Sequence, residues 1–266
     1  MTRPFLREER HGSVLLLTMD RAEERNALST RDQCDEFVAA ARRINADDTL
    51  KAVVLTGAGT AFCAGGNPKH MQSHEGFMAG SPVEVAEGYR RALQQIALSL
   101  YELELPLIAA VNGPAMGAGL DIACMCDIRI ASERARFAET FVRLGIISGI
   151  GGGWFLPRVV GAAMAAELSF TGRVIDAEQA RRCGLVSEVL PEAALLDRAR
   201  ALAEEIAQHS GVALRYCKRL LRVGAGTDLR SSLETAAALQ SLAHQSPEHV
   251  RAVEAFLAQW QARTGR

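Results

Sequence analysis

The sequence PLIAAVNGPAMGAGLDIACMCD, residues 106–127, is the stretch around which the rest of the chain is organised. Its apolar run Leu107–Val111 predicts a buried strand, which the following Asn-Gly-Pro turn ends. Small residues then lead into an apolar pattern, which predicts a helix that starts near Ala118. The first N–H groups of a helix lack partners within it, and the helix dipole favours negative charge there. Asp121 shares a helix face with Ala118, so we expect a carboxylate beside a free N–H group.

By itself, this stretch favours an ordinary helix start whose acid complements the dipole. A second stretch upstream has the same design, which makes the pair informative. The run Lys51–Thr56 predicts a buried strand, and the short apolar piece that follows it closes in the pair Gly65–Gly66. The two turns are expected to expose N–H groups at Gly66 and at Ala118. Two such donors that converge on one oxygen form an oxyanion hole, which stabilises negative charge in a transition state.

Strands and helices alternate from Val14 to about residue 190, which predicts an α/β core. Ser29 is the predicted N-cap of a helix that runs to about Asn45. Residues 68–87 are polar and predict a long loop or loosely held helix that covers a site, with His70 and His74 facing solvent. Beyond residue 191 nearly every segment predicts helix, and the apolar stripes of these helices require burial on the core or on another subunit.

The composition excludes several classes of partner. The 266 residues carry a formal net charge of -1, so there is no electrostatic basis for binding nucleic acid or an anionic membrane. The apolar runs are too short to cross a bilayer and the N-terminus lacks the apolar centre of a signal peptide, which predicts a cytoplasmic protein. Six scattered cysteines in mostly apolar segments predict reduced thiols, and their spacing predicts no metal site.

Taken in order along the chain, these motifs resemble the crotonase superfamily, which is the enoyl-CoA hydratase/isomerase family. The motifs that carry the resemblance are Arg25–Leu28, Val54–Gly57, Phe62–Gly66, Asn112–Gly119 and Cys126–Asp127. The resemblance implies a crotonase-like spiral of ββα units over residues 1–195 and an all-helical C-terminal region over residues 196–266 that assembles homotrimers, often paired into hexamers. It also implies an acyl-CoA thioester as the substrate, with coenzyme A present only as part of that substrate and no further cofactor.

By position, the resemblance places the thioester oxygen against the backbone N–H groups of Gly66 and Ala118. It assigns coenzyme A to four further residues: the Ala64 carbonyl for the adenine, Arg25 and Lys69 for the phosphates, and Phe256 as an aromatic neighbour. Charge collects on the thioester oxygen when a proton leaves the adjacent carbon or a nucleophile adds to the conjugated alkene. Two backbone donors at that oxygen suit both reactions, each contributing on the order of 3 kcal/mol.

The resemblance also implies which acids take part, and here the sequence departs from the family. Hydratases of the family use two glutamates; Asp121 matches the first position, but Phe141 occupies the second and cannot exchange a proton. An aspartate that other members carry further on falls on Gly149. Glu139 is the remaining candidate acid, and it reaches the site if residues 137–141 are extended. An exposed Glu139 is the favoured expectation. Phe141, Trp154 and the loop 68–87 are expected to shape an apolar acyl pocket.

Hydration or double-bond isomerisation of an enoyl-CoA is the predicted reaction, with Gly66, Ala118, Asp121 and Glu139 as the catalytic candidates. Two alternatives remain open from the sequence. Decarboxylation or C–C cleavage of a CoA ester relies chiefly on the oxyanion hole and needs no second acid. A catalytically silent acyl-CoA binder would also explain why Phe141 stands at the second glutamate position.

Overall fold

The computed structural model describes residues 3–73 and 76–264, so His74 lies outside the described residues. The strands of this part of the chain are β1 (Leu6–His11), β2 (Val14–Met19), β3 (Ala52–Gly57), β4 (Leu107–Val111), β5 (Ala115–Met116), β6 (Ile128–Ser132), β7 (Arg136–Ala138), β8 (Ile175–Asp176) and β9 (Glu188–Leu190). The alternation of strands and helices predicted for an α/β core is therefore present.

The helices of the described residues are α1 (Arg31–Ala46), α2 (Pro68–Ser73), α3 (Pro82–Gly88), α4 (Gln94–Tyr101), α5 (Ala118–Met125), α6 (Gly152–Val160), α7 (Ala162–Thr171), α8 (Ala177–Arg182), α9 (Glu192–Ala207), α10 (Gly211–Gly224), α11 (Leu229–His244) and α12 (Pro247–Thr264). A π-helical turn at Tyr89–Leu93 joins α3 to α4, and Thr140–Leu144 form a 3₁₀ turn. None of these helices combines the length and apolar character needed to cross a membrane.

Six strands form the main sheet in the order β1-β2-β3-β4-β6-β9, and all neighbours are parallel except β1 and β2. The central strands are buried on both faces, which is why they read as continuous apolar runs in the sequence. Helix α9 covers one face of this sheet, and the larger core fills the other. The short strands β5, β7 and β8 make a second sheet. β1 is a charged edge strand, a type that apolar patterning does not predict.

Helix α1 begins later than the sequence predicts, because Thr30 rather than Ser29 is its N-cap. The Thr30 hydroxyl accepts a hydrogen bond from the Gln33 amide, and Gln33 Oε1 accepts one from the Thr30 amide at 2.9 Å. This reciprocal arrangement is a capping box, and a glutamine three residues after a threonine is its sequence signal. The cap places the residues just before α1, Leu28 and Ser29, against the cavity described below.

The helical tail is attached to the core through Asp127. Its Oδ2 atom accepts hydrogen bonds from the Leu107 amide at 2.8 Å and pairs with the buried Lys218 ammonium of α10 at 2.5 Å. Lys218 also donates to the Leu105 carbonyl at 2.6 Å, so α10 docks at the start of β4. Beyond α10, Leu239 of α11 is buried, but most of the large apolar residues of α11 and α12 are exposed: Leu229, Leu233, Leu242, Val250, Val253, Phe256, Leu257 and Trp260.

Candidate active site

The segments that follow β3 and β4 run side by side. β3 and β4 are parallel neighbours, so both chains leave the sheet at the same edge. The Phe62 and Cys63 amides each donate to the Pro114 carbonyl at 3.1 Å, and the Met116 amide donates to the Cys63 carbonyl at 3.0 Å. This ladder brings the loop that ends at Gly66 against the start of α5 at Ala118, as the paired motifs of the sequence predict.

Glycine is required where these two backbones touch. A methyl group added at Gly119 would lie 2.1 Å from the Cys63 carbonyl oxygen, well inside van der Waals contact. Gly65 adopts a positive φ of 84°, and a methyl group there would lie 2.5 Å from the Met116 carbonyl and 3.4 Å from the Ala118 nitrogen. Ala118 is the first residue of α5, so its N–H precedes the first hydrogen bond of that helix.

Gly66 and Ala118 line one narrow cavity with a free volume of about 50 Å³. The described residues around it are mostly apolar: Leu28, Ser29, Gly66, Asn67, Met71, Phe77, Tyr89, Leu93, Ala118, Phe141, Ile146 and Ile150. Met71 of α2 and Phe77 belong to the segment that the sequence predicts as a cover. The cover therefore packs over the backbone donors, and a methyl group at Gly66 would lie 2.8 Å from Met71 Cε.

Asp121 and Glu139 form a buried carboxyl pair beside this cavity. Asp121 is 0% exposed and Glu139 is 3% exposed. Both side chains flank the first residue of α6, because a methyl group at Gly152 would lie 2.2 Å from Asp121 Oδ1 and 2.4 Å from Glu139 Oε1. Asp121 lies one helical turn beyond Ala118 on α5. The expectation that Glu139 is exposed is therefore wrong.

The backbone explains why Glu139 points inward. β7 ends at Ala138, and Glu139 has φ -84° and ψ 76°, so the chain leaves the strand there and enters the 3₁₀ turn Thr140–Leu144. Residues 137–141 are not continuously extended, as an alternating pattern would require. The turn places Glu139 against Asp121 and Phe141 against the cavity, so the two side chains do not take equivalent positions.

Two residues that sequence reasoning missed hold this pair in place. The Ser148 hydroxyl donates to Asp121 Oδ2 at 2.6 Å and accepts from the Gly152 amide at 2.9 Å. Gly152 has no side chain, and the two carboxyl groups occupy the space that a side chain would need. The only sequence signal is the small-residue run from Ser148 to Gly153, which does not show which of its members faces the acids.

The environment pushes the two pKa values apart. Burial raises the pKa of Asp121, while the Ser148 hydroxyl, Glu139 and the Gly152 amide oppose that shift, and the result is about 6. Burial and the adjacent Asp121 carboxylate both raise the pKa of Glu139, to about 9. Two buried carboxyl groups this close cannot both ionise near neutral pH. Asp121 has the hydrogen-bond donors that favour a charged form, so Asp121 is ionised and Glu139 holds the shared proton.

A second cavity, with a free volume of about 290 Å³, lies on the other side of Glu139. Its described lining is Glu139, Phe141, Val142, Ile146, Ile147, Ser148, Gly153, Ser169 and Phe170. Phe141 and Ile146 line both cavities and separate them. Gly149 occupies the position at which the sequence analysis expects an acid in other members of the crotonase superfamily. It is packed against Tyr89, whose Cε1 would lie 2.4 Å from a methyl group added at Gly149.

Of the four residues expected to bind coenzyme A, the structure places two in direct contact. The Arg25 carbonyl accepts from the Ala64 amide at 2.9 Å, which places these two residues together, and Lys69 is exposed on α2. Phe256 is 67% exposed on α12 and is not among the described residues that line either cavity. Trp154 packs edge-on against Tyr101 rather than against the acyl pocket.

Comparison with known proteins identifies the family and the fold of the chain. The model of the family described as enoyl-CoA hydratase/isomerase matches residues 9–263 of the chain. The chain belongs to the enoyl-CoA hydratase/isomerase family. Its fold is the mixed α/β crotonase fold with a helical C-terminal region, and it superimposes with a TM-score of 0.89 on the crystal structure of an enoyl-CoA hydratase from Bacillus anthracis. That structure is 30% identical, and the alignment covers 96% of each chain.

Curated relatives in the family include two different activities. The short-chain-enoyl-CoA hydratase of Clostridium acetobutylicum is 37% identical over 228 residues, which cover 85% of this chain and 84% of the relative. The 1,2-epoxyphenylacetyl-CoA isomerase of Escherichia coli is 32% identical over 254 residues, which cover 96% of this chain and 95% of the relative. These names do not favour the alternatives of decarboxylation, C–C cleavage or a catalytically silent binder.

Proposed function

We propose that this protein hydrates or isomerises the double bond of an enoyl-CoA thioester, using the carboxyl pair Asp121 and Glu139 in place of the two family glutamates. The single observation that carries the proposal is the position of this pair. It is buried and lies one helical turn from the Ala118 N–H. Burial raises the pKa values of both acids, which favours one proton on the pair near neutral pH. An acid and a base side by side, next to donors for a developing oxyanion, are what both reactions require.

The backbone donors act on the thioester carbonyl. Gly66 and Ala118 line the same cavity, and their N–H groups donate to the carbonyl oxygen of the bound thioester. As the reaction proceeds, negative charge moves to that oxygen, and fixed donors in a narrow apolar cavity stabilise the charge without reorganising. Ser29, Asn67 and Tyr89 are the lining residues with polar side-chain groups, and the apolar side chains of the lining keep water away from the enolate.

The carboxyl pair moves one proton in each direction. In hydration, Asp121 takes a proton from water as the water oxygen bonds to C3, and the Glu139 carboxyl gives its proton to C2 of the enolate. In isomerisation, Asp121 removes a proton from C4 to form a dienolate, and Glu139 returns a proton to C2. In both cases the pair begins and ends with one proton, which then lies on Asp121 and returns to Glu139 between turnovers.

The proposal extends to the coenzyme A part and to the assembly. Arg25, Ala64 and Lys69 bind the nucleotide end, and no cofactor is needed beyond the coenzyme A of the substrate. Phe256 and the other exposed apolar residues of α11 and α12 are covered by neighbouring subunits in a homotrimer or a dimer of trimers. Residues 1–195 then form the catalytic core, and residues 196–266 form the trimerisation region.

The test is turnover of a panel of 2-enoyl-CoA and 3-enoyl-CoA thioesters by the purified protein, followed by mass and by the ultraviolet absorbance of the conjugated 2-enoyl thioester. Hydration adds the mass of one water, and isomerisation moves the double bond without changing the mass. We expect Asp121→Asn to lower kcat about 1,000-fold, since it removes the base. Asp35→Asn, a change at an exposed aspartate of α1, serves as the control and should retain full activity. Tight binding of a thioester with no turnover, or turnover that Asp121→Asn leaves unchanged, would contradict the proposal.

A further inference from the structure

The wall between the two cavities consists of side chains that only packing holds. Phe141 and Ile146 line both cavities, and each is half-buried. The Phe141 ring packs against the start of α5, where its Cζ would lie 3.4 Å from a methyl group at Gly117. A phenylalanine ring makes no hydrogen bonds of its own here, so a change of rotamer can open the wall. Opening it joins the cavity of the backbone donors to the cavity beyond Glu139.

Of the two cavities that Phe141 and Ile146 line, the one on the Glu139 side is the larger. The first cavity holds about 50 Å³, which is room for only a few water molecules, and the second holds about 290 Å³. A thioester carbonyl and its first carbons fill the first cavity. Any longer acyl group needs other space. A cavity of about 470 Å³ shares Ser29 and Phe77 with the first, whereas the cavity behind the wall is the one that Glu139 lines.

The order of the atoms in an acyl-CoA substrate, from the thioester carbonyl to the end of the acyl group, matches the order in space of Ala118, the carboxyl pair and the second cavity. A carbonyl at the Ala118 N–H lies about 4.5 Å along α5 from Asp121, given the rise of a helix over three residues. Carbons C2 to C4 of an acyl chain lie within that distance of their carbonyl, so they reach the carboxyl pair. Carbons beyond them reach the far side of Glu139, which is the floor of the second cavity.

The second cavity has the character of a binding site for an apolar chain. Glu139, Ser148 and Ser169 are its polar lining residues, and the other described residues of the lining are apolar side chains and one glycine. Ile147 is 84% exposed and Phe170 is 79% exposed at the mouth of this cavity. Large apolar side chains held in solvent around a cavity mark a surface that an apolar ligand covers.

We propose that the second cavity receives the distal part of the acyl group, so that the preferred substrates are enoyl-CoA thioesters with extended apolar acyl chains, and that Phe141 is the residue that controls access to it. This inference rests on the proposed function. Phe141, which stands where family hydratases carry their second glutamate, then determines substrate specificity and takes no part in proton transfer. The ring closes the short cavity in the empty enzyme and moves aside for a long chain.

The test compares two thioesters in the same variant: trans-2-decenoyl-CoA, whose chain extends into the second cavity, and crotonyl-CoA, whose chain ends before it. Gly153→Leu fills the second cavity, and Gly153 suits this change because an added methyl group there meets no atom within 4 Å. Wild-type enzyme should prefer decenoyl-CoA in kcat/KM. The ratio of kcat/KM for decenoyl-CoA to that for crotonyl-CoA should fall at least about tenfold in Gly153→Leu, because several methylenes lose their apolar site.

Two further variants make the result interpretable. Ala163→Leu adds the same side chain at an exposed position of α7 and should keep the wild-type ratio. Ser169→Leu fills the cavity from α7 and should lower the ratio as Gly153→Leu does, which keeps the proposal testable if one variant does not fold. An unchanged ratio in the folded filling variants, or a wild-type preference for crotonyl-CoA, overturns the inference and leaves the proposed function intact. If the enzyme turns over neither of these thioesters and none of the 3-enoyl-CoA thioesters, both the inference and the proposed function are overturned.

Discussion

The two halves of the site are built in different ways. The backbone half, Gly66 and Ala118, is positioned by the order of the sheet and by glycines that let two chains touch. The acid half, Asp121, Glu139 and Ser148, combines side chains from three separate segments in a buried space. This difference indicates which half stabilises the folded protein. The backbone half is part of the hydrogen-bonded framework, whereas the acid half places poorly solvated carboxyl groups in the interior.

The pKa shift of Glu139 shows that the acid half lowers the stability of the folded protein as pH rises. The folded state raises the pKa of Glu139 from 4.5 to about 9, so between these values the folded protein binds more protons than the unfolded chain. The free energy of unfolding therefore falls as pH rises through that window. The pair is retained at a cost in stability, and a change that removes it should lower activity without weakening the fold. A change in the backbone half should lower both.

The largest expected effect is that of Gly119→Ala, which disrupts the backbone half. The added methyl group would lie 2.1 Å from the Cys63 carbonyl oxygen, and that oxygen is fixed by the Met116 amide. Separating these chains should lower the free energy of unfolding by at least about 3 kcal/mol and abolish activity. Chemical denaturation followed by circular dichroism measures the first, and thioester turnover the second. A Gly119→Ala protein of wild-type stability would contradict the dependence of this half on backbone contact.

The next effect in size is that of Gly152→Ala, which separates the acids and leaves the backbone donors in place. The methyl group would lie 2.2 Å from Asp121 Oδ1 and 2.4 Å from Glu139 Oε1, so the carboxyl groups must move. We expect kcat to fall about 500-fold, since misplaced acid and base groups transfer protons poorly. Gly88→Ala is the matched control, because Gly88 has helical dihedral angles and open space around it. Equal activity in the two variants would show that the spacing of the pair is unimportant.

A smaller effect is expected from Glu139→Gln, which keeps the shape of the pair and removes its proton donor. The wild-type pH profile of kcat/KM should be bell-shaped, with an acid limb near 6 from Asp121 and an alkaline limb near 9 from Glu139. The variant should lose the alkaline limb and about 100-fold in kcat. Its free energy of unfolding should fall less steeply between pH 4.5 and about 9 than that of the wild type.

The exposed Glu133 provides the control for this variant, since Glu133→Gln should retain both the bell shape and the stability profile. An alkaline limb that survives in Glu139→Gln would assign that limb to another group. It would also remove the reason to describe the two acids as one pair.

The backbone half could be predicted from the sequence, and the acid half could not. Apolar runs that end in small residues predict two strands with adjacent turns, and those turns do meet between Gly66 and Ala118. This pattern is local, and the structure adds that the two strands are parallel neighbours. The alternation of elements likewise predicts the core and the helical tail, and errors at helix ends are small, as at Thr30.

The acid half depends on contacts between residues far apart in the chain. Glu139 is buried because β7 ends one residue before it and because α6 begins against α5, and neither event has a signal near residue 139. Glutamate side chains are rarely fully buried, so the sequence around residue 139 predicts an exposed side chain. Ser148 and Gly152 belong to a run of small residues in which only the packing distinguishes one member from another.

The smallest expected effect is that of Ser148→Ala, and it tests how the acid half is tuned. The Ser148 hydroxyl donates to Asp121 Oδ2 at 2.6 Å and favours the charged carboxylate, which holds the pKa of Asp121 below the value that burial alone would give. Removing the hydroxyl should raise that pKa and shift the acid limb of kcat/KM to higher pH, while the alkaline limb stays within the range set by Glu139. Activity at pH 8 should fall only about threefold, because most of Asp121 remains ionised there.

Ser241→Ala, at an exposed site on α11, is the control for this variant and should leave both limbs of the pH profile unchanged. A limb that moves to lower pH would mean that the hydroxyl accepts from a protonated Asp121, and the assignment of base and acid within the pair would have to be reversed.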